Sequence, residues 1–363
     1  MNVLLVSGIY PPDIGGPATY IPELEKHLKI LGHDVQVISL SDSPKISKMK
    51  YPTNIFLKRN INKSIRFPLT VIGIFFLSIN KDVIFVNGLY EEAACALFFT
   101  KKRKIAKIVG DPIWERLKNK QKIDYSIEKF QQISLPNSAK VQRKFLIWAL
   151  NTFDVITCPS APLQGMIRKW GVKSNIEVIL NGVKTNGFKQ NLEKRNSLLT
   201  VSRLVSWKNI DIILEAISHT EYHVIIAGDG PERIALETRA KELNSSAVFV
   251  GEVGPEQIQK LMDESKYFIL LSEYEGMSFA LLEALNHGMV PIVSDCPGNR
   301  AVISNDFNGY LIPLNDSHAL LERISLLESN PSRYKYLSQN AYETVSRKYS
   351  LDSNFQKTIQ LMK

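Results

Sequence analysis

Apolar runs of strand length recur along the chain, each followed by a stretch whose apolar residues repeat at helical spacing. "NVLLVSG" precedes "ATYIPELEKHLKILGH", in which Tyr20, Leu24, Leu28 and Leu31 return every three or four positions. "DVQVISL", "DVIFVNG", "KIAKIVG" and "FDVITCPS" continue the pattern. "SLLTVSRL", "HVIIAGDG", "AVFVGE", "YFILLSE" and "VPIVSD" repeat it in the second half, with helical stretches such as "IDIILEAISH" and "EQIQKLMDES" between them. Strands alternating with helices predict parallel sheets covered on both faces. The final segment reads as helices with no strand after it.

The alternation breaks at residues 181–197, "NGVKTNGFKQNLEKRNS", which are polar and rich in turn formers. Two domains follow, each large enough for its own core. We place a first Rossmann-like domain at 1–190, a second at 191–345, and a closing helix at 346–363 that packs back on the first. The chain has 363 residues, 44% hydrophobic and 22% charged, an ordinary globular composition. Cys95, Cys158 and Cys296 are scattered and odd in number, giving neither a disulfide framework nor a metal cluster. "MNVLLVSGIYPP" has no basic start or small-residue cleavage site. The longest apolar run, "FPLTVIGIFFLSIN" at 67–80, is short for a membrane span and reads as a core helix or a shallow membrane-contact element. These features predict a cytoplasmic protein.

The net charge of +9 is unevenly spread: residues 1–190 carry 28 Lys+Arg against 14 Asp+Glu, and residues 191–363 carry 17 against 22. A basic first half is either solvated surface or a face for an anionic membrane or an anionic substrate. The basic stretches hold no nucleic-acid-binding motif, so nucleic acid is not expected as a partner.

Candidate chemistry concentrates in "LLSEYEGMSFALLEALNHGMVPIVSD", where Glu275 and Glu283 stand eight positions apart in an apolar setting. Charges there need a partner. A helix is expected to start near Met277 or Ser278 and to stop at Gly288. That leaves Glu275 in the loop at the carboxyl edge of a strand and Glu283 inside the helix. The backbone N–H groups at the helix start form an anion site. "VSRLVSWKN" puts Arg203 and Lys208 in another strand-to-helix turn, two cations suited to a diphosphate. Phosphate groups beside carboxylates that accept from hydroxyls describe a sugar nucleotide.

"VSRLVSWKN", "VIIAGDGPE", "VFVGEV" and "SEYEGMSFALLEALNHGMVPIVSD" resemble the second domain of retaining GT-B glycosyltransferases of the family-four (group 1) type. "IYPPDIGGPATYIPELEKHLKILGHDVQVIS" is similar to that family's opening strand, glycine loop and first helix, and "VILNGVKTNGF" to its interdomain signature. The resemblance implies two doubly wound α/β domains facing a cleft. It implies that Glu275 faces the transferred sugar and Glu283 holds the ribose. Arg203 and Lys208 would carry the diphosphate, helped by the backbone of Met277 and Ser278, while Val253 lines the base pocket. Gly15 and Gly16 would let the first-domain backbone approach the phosphate or acceptor.

Two positions depart from the family pattern. Asn87 stands where many relatives have histidine, and it can hydrogen-bond a hydroxyl but cannot exchange a proton. Ser278 replaces a glycine and is expected to narrow the donor pocket. In "VGDPIWER", Asp111 is a candidate to orient an acceptor hydroxyl, and Trp114 either stacks on a sugar or packs in a core. No Asp-x-Asp and no metal-ligand spacing occur, so neither metal nor other cofactor is expected.

The expected activity is transfer of a sugar from a nucleoside-diphosphate donor to a glycan or lipid-linked acceptor in surface polysaccharide synthesis. The site would lie at the cytoplasmic membrane face. Three alternatives stay open from the sequence. One is a sugar-nucleotide epimerase or phosphorylase on the same architecture, and another a binding protein without turnover. A nucleotide-dependent dehydrogenase is the third, against which "GIYPPDIGG" fails to make G-x-G-x-x-G.

Overall fold

The unbroken apolar runs become parallel strands because both faces of each sheet are covered, leaving no position for the polar alternation of a half-exposed strand. Val3, Leu4, Leu5 and Val6 are all fully buried in β1 (Asn2–Ser7). The computed structural model describes residues 1–13, 15–185, 187–188 and 195–363. They form two units, one of Met1–Ile113, Ile133–Leu180 and Phe355–Lys363, the other of Trp114–Gln132 and Asn181–Asn354.

In the first unit β1 is joined by β2 (Asp34–Ser41), β3 (Ile55–Lys58), β4 (Val83–Asn87), β5 (Arg103–Lys107), β6 (Val155–Cys158) and β7 (Asn175–Val178). The order is β3-β2-β1-β4-β5-β6-β7, all parallel. β1 pairs with β2 on one side and β4 on the other, so the winding reverses between β1 and β4. Such a reversal opens a crevice at the carboxyl ends of the two strands.

The second unit contains β8 (Arg195–Val201), β9 (His223–Ala227), β10 (Ala247–Gly251), β11 (Ser265–Leu270), β12 (Val290–Ser294) and β13 (Tyr310–Ile312). Their order is β10-β9-β8-β11-β12-β13, with the reversal between β8 and β11. Leu198, Ile226, Tyr267, Ile292 and Ile312 fill the core around it. Each sheet is doubly wound, as the resemblance implies.

The two units divide the chain differently from the expected domain limits. The 190/191 boundary lies outside the described residues. Trp114–Gln132, placed by expectation in the first domain, groups with the second unit. Only Phe355–Lys363, and not all of 346–363, groups with the first. There Phe355 is buried edge-on against Tyr20 at 5.3 Å and lies 5.4 Å from the His27 ring. Tyr20 Oη and Thr358 Oγ1 share a hydrogen bond of 3.1 Å, and Arg103 Nε donates to the Leu361 carbonyl. β3, β7 and β13 were not foreseen; with four, four and three residues they are too short to print a period.

The run at 67–80 lies largely in a helix, Lys63–Ser78, whose buried residues are only Thr70, Ile74 and Ser78. Ile65, Leu69, Ile72, Phe75 and Phe76 are exposed, so the core-helix reading describes one side of it. No helix among the described residues is long and apolar enough to cross a membrane.

Phe355→Ala removes a buried ring at the seam between the terminal helix and Tyr20. Urea unfolding should show a loss of about 3–4 kcal/mol; a loss below ~1 kcal/mol would mean that the helix contributes little to the first unit.

Candidate active site

β8 and β11 flank the reversal of the second sheet, and the loops that leave them carry the expected cations and carboxylate. After β8 the chain makes a short 3-10 turn, Ser206–Lys208. After β11 it runs through Ser272 and Glu273 to Glu275. Lys208 Nζ donates to Glu275 Oε1, which also accepts from Ser272 Oγ at 2.7 Å. The two charged side chains are mostly buried. Each satisfies the charge of the other, which answers the cost of placing Glu275 in an apolar stretch.

The pair is braced from several sides. Glu273 N donates to the Trp207 carbonyl at 2.8 Å, tying the two loops together. Trp114, fully buried, lies 5.4 Å from the Trp207 ring and 5.8 Å from Tyr274, and its Nε1 donates to the Tyr125 carbonyl. Trp114 is therefore a buttress behind these loops and not a sugar platform. Lys118 bridges Glu273 and Asp124, each at 3.2 Å, within the same unit. Gly298 closes the arrangement: a Cβ there would lie 2.0 Å from the Glu275 carbonyl oxygen. Asn299 Nδ2 donates to the Ser294 carbonyl and Ser294 Oγ to that of Ser272, which fixes the strand end beneath the loop.

Arg203 is exposed and forms no ion pair among the described residues. Its loop is held by Leu204 N donating to the Asp229 carbonyl and Ser202 N to that of Ala227. Val253, half-buried, follows β10, two strands from β8.

The expected helix spans Phe279–Asn286, with Gly288 in the left-handed region at φ 64° just beyond its end. Ser278 is its N-cap, accepting from Leu281 N at 3.2 Å. The serine that departs from the family pattern thus has its hydroxyl engaged with its own helix, the usual role of Ser at that position. The Met277 carbonyl accepts from Asn181 Nδ2 at 2.9 Å. Glu283 sits within the helix with no cationic partner among the described residues, and burial pushes its carboxyl up to about 7.

The first unit holds the other candidates. Gly15 caps the helix Gly16–Ile30 with φ 148°, and a Cβ on it would reach within 2.7 Å of Ile9 Cδ1. Ile14 of the same loop lies outside the described residues. Asn87 ends β4 beside the β1/β4 reversal; it is buried, and neither atom of its amide has a hydrogen-bond partner among the described residues. An orphaned buried amide at a sheet's carboxyl edge is the mark of a group awaiting a ligand or water. Asp111 is fully buried, accepting from Arg143 Nη2 at 2.5 Å and Ile113 N at 3.0 Å. This carboxylate is committed to an internal ion pair. Sequence reasoning passed over Lys107 in β5, which is buried with its Nζ 4.3 Å from the Tyr20 ring centre and its pKa lowered to about 8 by burial. It also passed over Asn181, Ser272, Trp207 and Gly298. Only the turn signal in "CPGNR" could have pointed to the last of them.

Two family models cover most of the chain: Glycosyltransferase Family 4 over residues 14–186 and Glycosyl transferases group 1 over residues 183–344. The chain belongs to the GT-B glycosyltransferases of this family-four type. A Campylobacter jejuni alpha-1,4-N-acetyl-D-galactosaminyltransferase, whose name specifies a diphosphoundecaprenol-linked saccharide, is 32% identical over 42% of this chain and 44% of its own length. An uncharacterized glycosyltransferase of Methanocaldococcus jannaschii is 26% identical over 96% of this chain and 94% of its own. The structure of HepE from Anabaena with UDP and glucose superposes with a TM-score of 0.81 at 17% identity, covering 99% and 98% of the two chains.

Gly298→Ala should drive the Glu275 backbone away from its seat. We expect a stability loss of about 1–3 kcal/mol in thermal unfolding; an unchanged melting temperature would mean that the loop yields without strain. Glu283 makes stability pH-dependent with a defined sign. Its folded pKa of about 7 stands above the ordinary 4.5, so its contribution is full below 4.5 and is lost as pH rises through 7. The total is roughly 3 kcal/mol. Glu283→Gln should therefore match wild type in acid and exceed it above neutrality, as measured by urea unfolding across that range. Parallel pH profiles for the two proteins would contradict the assignment.

Proposed function

We propose that this chain is a retaining, metal-independent glycosyltransferase that moves a hexose-type sugar from a nucleoside-diphosphate donor to a glycan or lipid-linked acceptor in surface polysaccharide synthesis. The observation that carries the reading is the Lys208–Glu275 pair at the β8/β11 reversal, with exposed Arg203 on the adjacent loop. Glycosyl transfer builds positive charge on the sugar ring while negative charge collects on the departing diphosphate. Glu275 is the anion suited to the first. Lys208 and Arg203 are the cations suited to the second, where two positive groups serve as a metal serves elsewhere. Lys208 holds Glu275 before donor arrives and can share its protons with a phosphate oxygen once donor is bound.

The start of the Phe279–Asn286 helix adds backbone N–H donors for the diphosphate. Glu283 accepts from the ribose hydroxyls, and the gain of those donors favours its ionised form. Val253 contributes to the base pocket. Gly15 and Gly16 allow backbone approach to phosphate or acceptor, and the unpartnered amide of Asn87 takes a sugar hydroxyl. Asp111 acts by fixing its loop through Arg143. On a retaining path the leaving phosphate takes the acceptor proton on the face from which it departs. UDP-sugars are the first donors to try because the Anabaena neighbour was solved with UDP, and the Campylobacter relative supports a lipid-diphosphate acceptor. The reading places the enzyme at the cytoplasmic face of a membrane.

The test is release of nucleoside diphosphate from a panel of NDP-sugars with EDTA present, with and without lipid-linked acceptor, in wild type, Glu275→Gln and Lys208→Ala. Acceptor-dependent release should fall by roughly 100-fold or more in each variant. A saturating nucleotide should raise wild-type stability by about 2.7 kcal/mol at a hundredfold excess over its Kd. Binding without acceptor-dependent release would make the chain a binding protein, and donor conversion without acceptor an epimerase.

A further inference from the structure

The helix Lys63–Ser78 is apolar on the side where a surface helix is normally polar. Ile65, Leu69, Ile72 and Phe76 follow one another at helical spacing along its exposed face, with Phe75 beside them; Phe76 is 64% exposed. Its charged residues, Lys63 and Arg66, both lie near the N-terminal end. A second exposed stripe, Val141, Phe145 and Trp148, runs along the helix Asn137–Leu150. The two stripes are continuous. Phe67 meets Phe145 at 6.2 Å, Phe145 stacks on Trp148 at 5.5 Å, and Phe98 stacks on Trp148 at 5.9 Å. Phe99, 94% exposed, packs edge-on against Phe98. Scattered exposed apolar residues need no explanation, but a contiguous aromatic patch across two helices does.

Cations surround this patch. Lys63, Lys101, Lys140 and Lys144 are exposed, the last two one turn apart beside Val141 and Phe145. Lys102 Nζ donates to the Ser78 and Ile79 carbonyls, placing its charge at the carboxyl end of the apolar helix. The nearby acids are Glu91 and Glu92 in the helix Tyr90–Ala96, and burial raises the carboxyl pKa of Glu92.

We infer that this patch docks the first unit on an anionic lipid bilayer, with the aromatic and aliphatic side chains at headgroup depth and the lysines on lipid phosphates. The charge pattern selects this occupant. A bilayer bearing anionic headgroups complements the lysine rim, whereas a second copy of the chain would set lysines against lysines. A helix of 16 residues with one apolar face lies in the interface instead of crossing it. The inference deepens the proposed reading, since it names the surface that keeps the enzyme beside a lipid-linked acceptor. Its test uses neither donor nor acceptor, so the two fail separately.

The experiment is co-sedimentation of the full chain with vesicles of phosphatidylcholine alone or with added phosphatidylglycerol, at low and high salt. Wild type should bind the anionic vesicles at least ~10-fold more strongly and lose binding as salt rises. Phe76→Glu with Phe99→Glu, and separately Lys140→Gln with Lys144→Gln, should each weaken binding roughly tenfold or more. These side chains are exposed, so the melting temperature should stay at the wild-type value. Equal binding to both vesicle types, or wild-type binding by either pair of variants, would overturn the proposal. So would a dimer in sedimentation equilibrium that the Phe variants break while vesicles leave the protein unbound.

Discussion

An ammonium and a carboxylate pressed together at the edge of a parallel sheet set the terms for the second unit. Neither Lys208 nor Glu275 could sit there alone, because a mostly buried charge without its counter-charge loses several kcal/mol of hydration. Each loop must therefore deliver its residue to the same point. The fold achieves this through rigid neighbours: the Trp207 carbonyl holds Glu273, the Trp114 ring backs both loops, and Gly298 leaves room for the Glu275 backbone. The pair in turn gives the loops a single mutual register. On the proposed function, a pair fixed in this way would present both charges that glycosyl transfer requires before substrate arrives, leaving little reorganisation for the reaction itself.

The neighbouring helix start shows how a departure from family pattern can be local in its physics. Serine in place of glycine at 278 suggested a narrower donor pocket from sequence. In the structure the hydroxyl turns back to Leu281 N and caps the helix. Capping leaves the first backbone donors ordered, which is what an anion site at a helix start requires. The orphaned amide of Asn87 is a different kind of departure. It is buried without a hydrogen-bond partner among the described residues, which leaves both amide atoms open to a water or a ligand.

Much of the fold was legible because strands covered on both faces read as apolar runs, and β1, β4, β11 and β12 advertise themselves that way. The Glu275 and Glu283 positions were legible for a related reason: a charge in such a run demands an explanation. What could not be read was anything that depends on distant contacts. Trp114 follows a first-unit strand, yet its partners are Trp207 and Tyr274, about a hundred residues or more along the chain. Asp111 looked available in sequence because its partner Arg143 is thirty-two residues away. Lys107 is polar in an apolar run, and nothing in its spacing announces the Tyr20 ring over which it lies.

The run at 67–80 marks the limit of hydropathy most clearly. An all-apolar helix and a helix with an exposed apolar face have the same composition, and periodicity separates them only when polar residues occupy the second face. Here the sheet-facing positions include Thr70 and Ser78, while isoleucine, leucine and phenylalanine point outward. With Ile74 buried as well, the helix carries apolar residues on both of its sides. The exposed apolar side chains of this helix belong to the half of the sequence that carries the net positive charge, 28 Lys+Arg against 14 Asp+Glu over residues 1–190, so on the docking proposed above two attractions would act together. Burial of apolar area holds a protein at a bilayer weakly by itself, and so does charge. Together they multiply, and each makes the other's contribution depend on lipid composition.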